Sequence, residues 1–389
     1  MGLIGVVISN QSYKQSGAKY MSEDIQDLKD IEEERKNVID DASNDETSAP
    51  QTYNISSYGA DFDVDGLVKR LRKGDIFIPP FQRDYVWNLS DASRLIESLL
   101  LGLPVPGIFL AKDIDTNKSL VIDGQQRLKS LQFFYDGYFN PRPEQKARRV
   151  FKLLNVQPQF EGKTYDELDE KDKVRLNDSI IHATVIKQES PDGDDTSVYH
   201  VFERLNTGGH KLMPQEIRTA IFHGNLVEMM RELNATKDWR NIFGKESNRL
   251  KDQELILRFL AMFYNGSAYT KPMNEFLNKF NKINRNQTSE FNQQCAEIFR
   301  QTIELVHRAI GASAFRPERA LNAAVFDSVM VGLAKRLQHD ENISLEALKE
   351  SYEELLLDPE FKAATSDSTS DVNNVLKRIN LATNKFKNI

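Results

Sequence analysis

The chain has 389 residues, of which 40% are hydrophobic and 28% are charged, so it can bury a sizeable core and is neither fibrous nor disordered. Its one cysteine, Cys295, excludes an intramolecular disulfide and is typical of a protein of the reducing cytoplasm. Residues 1–50 hold 5 Lys/Arg and 11 Asp/Glu, which is nearly all of the net charge of −7. The nearly neutral remainder does not predict binding to nucleic acid through bulk positive charge.

Residues 1–50 are predicted to form an acidic, disordered tail because they have too little apolar surface to offset the entropy of ordering. Within this tail, only residues around 25–38 have a pattern that could form a short helix. Either Met1 or Met21 could be the residue at which translation starts. A chain that begins near Thr52 is expected to fold. No run of about 18 apolar residues is present, so no membrane span is expected.

Residues 51–225 have the pattern of a mixed α/β domain. Residues 65–73 are predicted to be a helix that ends at Gly74, and 75–79 a strand. Residues 107–111 and 119–122 are predicted to pair as a hairpin, and 182–187 to add another strand. A further helix, capped by Ser90 or Asp91, has an apolar stripe formed by Ala92, Leu95, Ile96, Leu99 and Leu100.

Residues 226–389 are predicted to form an all-helical domain, and helical spacing already begins at Pro214. Helices are expected over residues 254–264, 291–310, 317–337, 344–357 and 371–386. Cys295 lies on the apolar face of one of them, so we interpret it as a core residue. The six histidines do not cluster at metal-ligand spacing, and no His-Asn-His nuclease motif is present.

The segment from Asp123 to Arg127 runs from an apolar strand into a helix, with Gly124 permitting a tight turn. Gln125, Gln126 and Arg127 fall in the first helical turn, where a cation is unfavourable unless an anion is close. Asp123 could cap the helix or hold Mg²⁺. The pattern favours a phosphate-binding turn, and the alternative is a capped helix with an exposed arginine.

Two more segments contain polar residues and glycines or prolines that packing of the core alone does not explain. Pro79 and Pro80 keep the chain extended and present Gln82 and Arg83 beside large aromatic residues. The second is a polar loop, rich in hydrogen-bond donors, that precedes another helix start and suits phosphates or a sugar edge. Its central residues are Asn206, Thr207, Gly208 and Gly209.

In this order, the segments Phe81–Trp87, 95–104, 122–127 and 206–209 resemble the N-terminal domain of GmrSD-type modification-dependent restriction enzymes. The resemblance covers about residues 60–225 and implies an α+β fold: a ParB/sulfiredoxin-like mixed α/β core followed by a helical domain. It also implies that the Asp-Gly-Gln-Gln-Arg segment binds, and in several members hydrolyses, a nucleoside triphosphate with Mg²⁺. Carried over by this resemblance, the catalytic residues are Asp123, Gln125, Gln126 and Arg127, and Asp123 is also the metal ligand. Gly124 binds the phosphates, with Gln82 and Arg83 opposite the motif.

The sequence-based hypothesis is a nucleoside-triphosphate-binding and hydrolysing sensor or regulatory module that acts on DNA in bacterial anti-phage defence. Its expected partners are DNA, including modified phage DNA, and a separate nuclease subunit, since longer relatives carry a His-Asn-His domain that is not seen in this sequence. Self-association stays open. The alternatives are a non-enzymatic nucleic-acid-binding module, in which Tyr85 and Trp87 stack on bases, and a nuclease in its own right.

Two basic clusters are the candidate DNA contacts, since a nearly neutral body needs a local patch to bind DNA. For each cluster a solvated surface is the simpler interpretation. Their residues are Lys69, Arg70, Arg72 and Lys73 in one cluster, and Lys146, Arg148 and Arg149 in the other.

Overall fold

The structure is a computed structural model that describes residues 38–40, 54–78, 85–112, 117–141, 148–190, 201, 212–339 and 342–389. The described residues form two compact units. One contains residues 54–201 and 219–221, and the other contains residues 38–40, 212–218 and 222–389. The predicted α+β class, a mixed core followed by helices, is confirmed. No helix of the described residues is long and apolar enough to cross a membrane.

The first unit is built on a five-stranded mixed sheet with the strand order β2-β6-β4-β5-β3. Strands β4 and β5 pair antiparallel as the predicted hairpin, with Leu110 opposite Val121, and β4 and β3 each have a parallel neighbour. The predicted 75–79 strand is shorter than expected, and the 182–187 strand is longer. The strands are β2 (Asn54–Asp63), β3 (Ile76–Phe77), β4 (Ile108–Lys112), β5 (Ser119–Asp123) and β6 (Ile180–Ser190).

Within the described ranges, four helices belong to this unit, and local capping defines the start of two of them. The Asp63 carboxylate accepts a hydrogen bond from the Gly66 N–H at the start of α1, and Gly74 ends it in the left-handed conformation. The predicted cap of α2 was wrong, because Asn88, rather than Ser90 or Asp91, accepts the Asp91 N–H. The helices are α1 (Val64–Lys73), α2 (Leu89–Leu100), α3 (Gln125–Asp136) and α4 (Glu170–Asn177).

The second unit is helical, as predicted, around two almost wholly buried helices, α8 and α11. Helix α5 begins at Pro214, and Glu216 accepts the Met213 N–H at 2.6 Å. The helices are α5 (Pro214–Ile221), α6 (Asn225–Asn234), α7 (Lys237–Phe243), α8 (Lys251–Asn265), α9 (Met273–Ile283), α10 (Ser289–Ala309), α11 (Ala323–Leu337), α12 (Leu345–Leu357), α13 (Pro359–Ser366) and α14 (Val372–Phe386).

The helix predicted over 317–337 begins later than expected, at Ala323. Asn322 caps α11 by accepting the N–H groups of Ala324 and Val325. Leu321 and Asn322 form strand β7 (Leu321–Asn322), whose backbone pairs with a strand from the N-terminal segment. The core interpretation of Cys295 is confirmed, since it is fully buried and burial raises the pKa of its thiol to about 11.

Three residues of the predicted N-terminal tail belong instead to the helical unit. Strand β1 (Val38–Ile39) pairs in parallel with β7, and Val38 joins the helical core. The Asp40 carboxylate lies 2.6 Å from Lys251 Nζ and 2.7 Å from Arg258 Nη1. These residues therefore contradict the tail prediction, because the acidic segment supplies an anion that buried cations require.

Asp40 belongs to a buried charge cluster that also contains Lys251, Glu254, Arg258, Asp327 and Arg378. Arg258 Nε lies 2.7 Å from Asp327 Oδ2, which also accepts a bond from Arg378 at 3.3 Å. Burial alone would raise the pKa of Asp40, but Arg258 and Lys251 outweigh burial and hold that pKa well below its usual range. Asp40 is thus ionised within the helical unit at neutral pH.

Candidate functional site

The turn between β5 and α3 requires a glycine. Gly124 has φ 101° and ψ 9°, a conformation that L side chains rarely adopt. A Cβ at this position would lie 2.4 Å from Cγ2 of Ile108 on the neighbouring strand. Gly124 therefore allows α3 to begin directly against the sheet, with its N-terminus at the end of β5. The first N–H groups of a helix have no acceptor within it, and they carry the positive end of its dipole.

Arg127 folds back across this turn. Its Nη2 donates to Asp123 Oδ2 at 2.8 Å and to the Gly107 carbonyl at 2.9 Å. The Arg127 side chain is only 15% exposed, whereas that of Asp123 is 52% exposed. Arg127 Nε is also buried and has no hydrogen-bond partner among the described residues. The alternative of an exposed arginine is therefore wrong.

Asp123 occupies the place where the sequence pattern predicts an external anion. The helix cap falls on Gly124, so capping is not the role of Asp123. Its carboxylate instead neutralises Arg127, four residues along the chain. The described residues contain no cluster of three His, Cys, Asp or Glu side chains that could hold a metal ion. One half-exposed carboxylate nevertheless fits Mg²⁺, which proteins commonly hold through one or two carboxylates together with substrate phosphates.

Gln126 joins two of the motifs that stand out in the sequence. Its side-chain carbonyl oxygen accepts the backbone N–H groups of Val86 at 3.0 Å and Trp87 at 3.3 Å. Val86 and Trp87 end the Phe81–Trp87 motif. The structure therefore brings the end of that motif onto the first turn of α3.

Tyr85 provides a second attachment of the same motif to α3. The Ser130 hydroxyl donates to the Gln126 carbonyl, and it lies 2.7 Å from the Tyr85 hydroxyl, which therefore acts as the donor to Ser130. The Tyr85 ring packs edge-on against Phe133, with 4.9 Å between the ring centroids. Tyr85 is only 6% exposed, and burial raises the pKa of its hydroxyl. The expected stacking of Tyr85 on nucleic-acid bases is therefore wrong, since the ring is a core residue.

Residues of both predicted basic clusters lie near the C-terminal end of α3. Arg72 of α1 pairs with Asp136, the last residue of α3. Just beyond this end, the Arg148 guanidinium lies over the Tyr138 ring and that of Arg149 over the Phe139 ring, at 5.5 and 5.6 Å from the centroids. We call Arg148 and Arg149 the basic surface; both are exposed, and neither has a carboxylate partner among the described residues. Arg70 and Lys73 are exposed on α1, where the Arg70 guanidinium lies over the Phe62 ring.

Several predicted site residues are not in the described part of the chain. Lys69 is described and pairs with Asp65 in α1. Sequence reasoning missed the Gly107 carbonyl and the Ser130 hydroxyl, because their roles depend on partners from other elements. The predicted site residues outside the described ranges are Gln82, Arg83, Lys146, Asn206, Thr207, Gly208 and Gly209.

Comparison with known proteins finds a similarity that covers part of the chain. Residues 64–223 match the family described as "GmrSD restriction endonuclease, N-terminal domain". The Uncharacterized protein MJ0686 of Methanocaldococcus jannaschii is 34% identical over 114 residues, and the match covers 23% of this chain and 20% of that protein. The chain thus spans about a fifth of the length of this curated relative. The resemblance predicted from the four motifs is confirmed, and residues 64–223 are similar to the N-terminal domain of GmrSD restriction endonucleases.

Proposed function

We propose that the chain is a nucleoside-triphosphate-binding and hydrolysing regulatory module that acts on DNA in a restriction-type defence system of the cytoplasm. The family match supports the restriction-type role. The observation that carries the nucleotide proposal is the turn at Gly124, where a helix N-terminus, Arg127 and Asp123 lie together at the end of a strand. This combination suits a ligand with several negative charges.

In this proposal the nucleotide phosphates lie at the N-terminus of α3. Charge on a transferring phosphoryl group is stabilised by positioned cations and N–H groups, so no covalent nucleophile is needed. Arg127 supplies the cation, and Gln125 lies beside it in the first turn. Bound Mg²⁺ would neutralise phosphate charge, with Asp123 as its ligand. We assign Gln82, Arg83 and residues 206–209 to nucleotide binding on the strength of the family resemblance.

The test is nucleotide binding by calorimetry and phosphate release, with ATP and GTP as probes. We expect Arg127→Ala to weaken binding and to abolish release. Arg175→Ala is the matched control, because Arg175 also donates to a backbone carbonyl, that of Leu100, and belongs to the same unit. A wild-type chain that binds neither nucleotide overturns the proposal. So does an Arg127→Ala chain that binds as tightly as the wild type.

We further propose that the basic surface contacts the phosphates of DNA. Two neighbouring exposed arginines without carboxylate partners among the described residues suit phosphate contacts, which depend strongly on salt. Reversal of both Arg148 and Arg149 to Glu should lower the salt slope of DNA binding by about two, because each arginine neutralises one phosphate. Reversal of Lys171 and Arg175 on α4 is the control with the same change in net charge. Equal slopes for the two double variants would remove this surface from the proposal.

The basic surface is also compatible with the alternative of a non-enzymatic nucleic-acid-binding module. A chain that binds DNA with a steep salt dependence, yet neither binds nucleotide nor responds to it, would be a nucleic-acid-binding module. The proposal also includes modified phage DNA as the target and a separate nuclease subunit as a partner. Co-purification with the products of neighbouring genes tests the latter.

A further inference from the structure

We propose that Gln126 is a positioning residue, which holds the end of the Phe81–Trp87 motif at the nucleotide site through its side-chain carbonyl. From sequence alone, Gln126 is predicted to be one of the catalytic residues. The new role rests on the proposed function, because it concerns how that site is assembled. A positioning role differs from a catalytic role because the Gln126 side-chain oxygen accepts hydrogen bonds from the protein backbone, instead of contacting the nucleotide.

The geometry around the side-chain oxygen carries the proposal. An amide oxygen has two lone pairs, and this one accepts two backbone N–H groups, at 3.0 Å from Val86 and 3.3 Å from Trp87. Both bonds are partly buried, so removal of the acceptor would leave two backbone donors without a partner. A side chain that binds two successive N–H groups fixes the path of that segment.

The neighbouring contacts explain why Gln126 is well placed for this role. Tyr85 is held by Ser130, which is itself held by the Gln126 backbone carbonyl. On the other side, Asn88 caps α2. Residues 85–88 are thus attached to two helices, and Gln126 contacts the stretch between the attachments.

Substitution of Gln126 can separate this role from direct contact with a ligand. Gln126→Met keeps the length of the side chain and removes the acceptor. We expect faster hydrogen exchange of the Val86 and Trp87 amides, by about tenfold if the missing hydrogen bond contributes about 1.4 kcal/mol. We also expect several-fold weaker binding of ATP or GTP. Gln126→Glu keeps an acceptor oxygen and should keep both amides protected.

The experiment uses the full chain labelled with ¹⁵N at Val and Trp, followed by exchange and by nucleotide titration. Gln132→Met is the matched control, since Gln132 lies further along α3 and has no described hydrogen bond. Weaker binding with unchanged exchange in Gln126→Met would mean direct ligand contact and would overturn the inference. Faster exchange with unchanged affinity, or loss of protection in Gln126→Glu, would overturn it as well. A wild-type chain that binds no nucleotide instead overturns the proposed function on which the inference rests.

Discussion

Arg127 and Asp123 close the turn between β5 and α3 with an ion pair 2.8 Å long, and the same Arg127 nitrogen also binds the Gly107 carbonyl. Arg127 is therefore part of the fold as well as a candidate phosphate ligand. We expect Arg127→Ala to lower the free energy of unfolding by about 1–3 kcal/mol, because the partly buried Gly107 carbonyl and the half-exposed Asp123 carboxylate lose a charged donor. Urea denaturation measures this, and Lys171→Ala, at an exposed position of α4, should have almost no effect. Equal stability of the two variants would contradict it.

In the proposed nucleotide site, Asp123 would compete with a bound phosphate for Arg127, and this gives Asp123→Asn an unusual expected result. Without Mg²⁺, we expect nucleotide affinity to rise by several-fold, because a carboxylate that repels phosphates is removed. With Mg²⁺, we expect the gain in affinity that the metal provides to shrink, because its ligand is gone. Calorimetry with and without Mg²⁺ measures both effects. If Asp123→Asn weakens binding equally in the two conditions, Asp123 neither competes with phosphate nor binds metal.

Gly124 and its counterpart Gly137, at the other end of α3, allow backbone strain to be separated from steric overlap. Both have positive φ, 101° and 80°, but a Cβ on Gly137 would meet no atom within 4 Å. Gly137→Ala should therefore cost only about 1 kcal/mol of stability, from the left-handed conformation. Gly124→Ala should cost about 1–3 kcal/mol more, because its Cβ overlaps Ile108. Equal losses on thermal unfolding would show that the sheet yields at Ile108.

Asp40→Asn tests whether the N-terminal segment stabilises the helical unit. Removal of one partner from a buried pair costs about 3–5 kcal/mol, and Lys251 and Arg258 both lose charge neutralisation here. Asp65→Asn, which breaks the exposed pair with Lys69, should cost at most about 1 kcal/mol. A chain that begins at Thr52 should lose at least as much as Asp40→Asn, contrary to the expectation from sequence. Unchanged stability of that chain would contradict the assigned role.

The pH dependence of the same variant follows from the direction of the pKa shift. The folded-state pKa of Asp40 lies below its unfolded value, because Arg258 and Lys251 outweigh the cost of burial. Its contribution is therefore fully present above the unfolded pKa of about 3.9 and is lost as the pH falls below that value. We expect the stability difference between wild type and Asp40→Asn to be constant from about pH 5 to pH 8 and to shrink below about pH 4. A difference that grows on acidification would reverse this assignment.

Local patterns were sufficient for much of the fold. The stripe from Ala92 to Leu100 is buried as expected, and the hairpin of β4 and β5 forms where polar residues separate two apolar runs. The predicted ends of helices were less accurate where several residues could act as the cap. Asn88, Ser90 and Asp91 are all residue types that cap helices well, and the local sequence does not decide among them.

The errors in assigning charged partners have a different cause, because those partners come from segments that are distant in sequence. Nothing near Asp40 in sequence distinguishes it from the other acidic residues of residues 1–50, since its partners are Lys251 and Arg258. Likewise, a basic side chain in the first turn of a helix indicates a nearby anion, but it does not show that Asp123 is that anion. The charge pattern therefore indicated where a charged site lies and did not assign the partners of each charge.

The pairing of Asp40 with residues 211 and 218 positions later has a consequence for the order of folding. During synthesis β1 leaves the ribosome long before α8 and α11 exist, so the helical unit cannot assemble its buried charge cluster until most of the chain is made. Strands β2–β6 are complete far earlier, and loop-closure entropy favours this earlier unit further. The chain's two tryptophans divide between the units, Trp87 in one and Trp239 in the other. Refolding followed by fluorescence of single-tryptophan variants should show Trp87 reaching its native signal before Trp239.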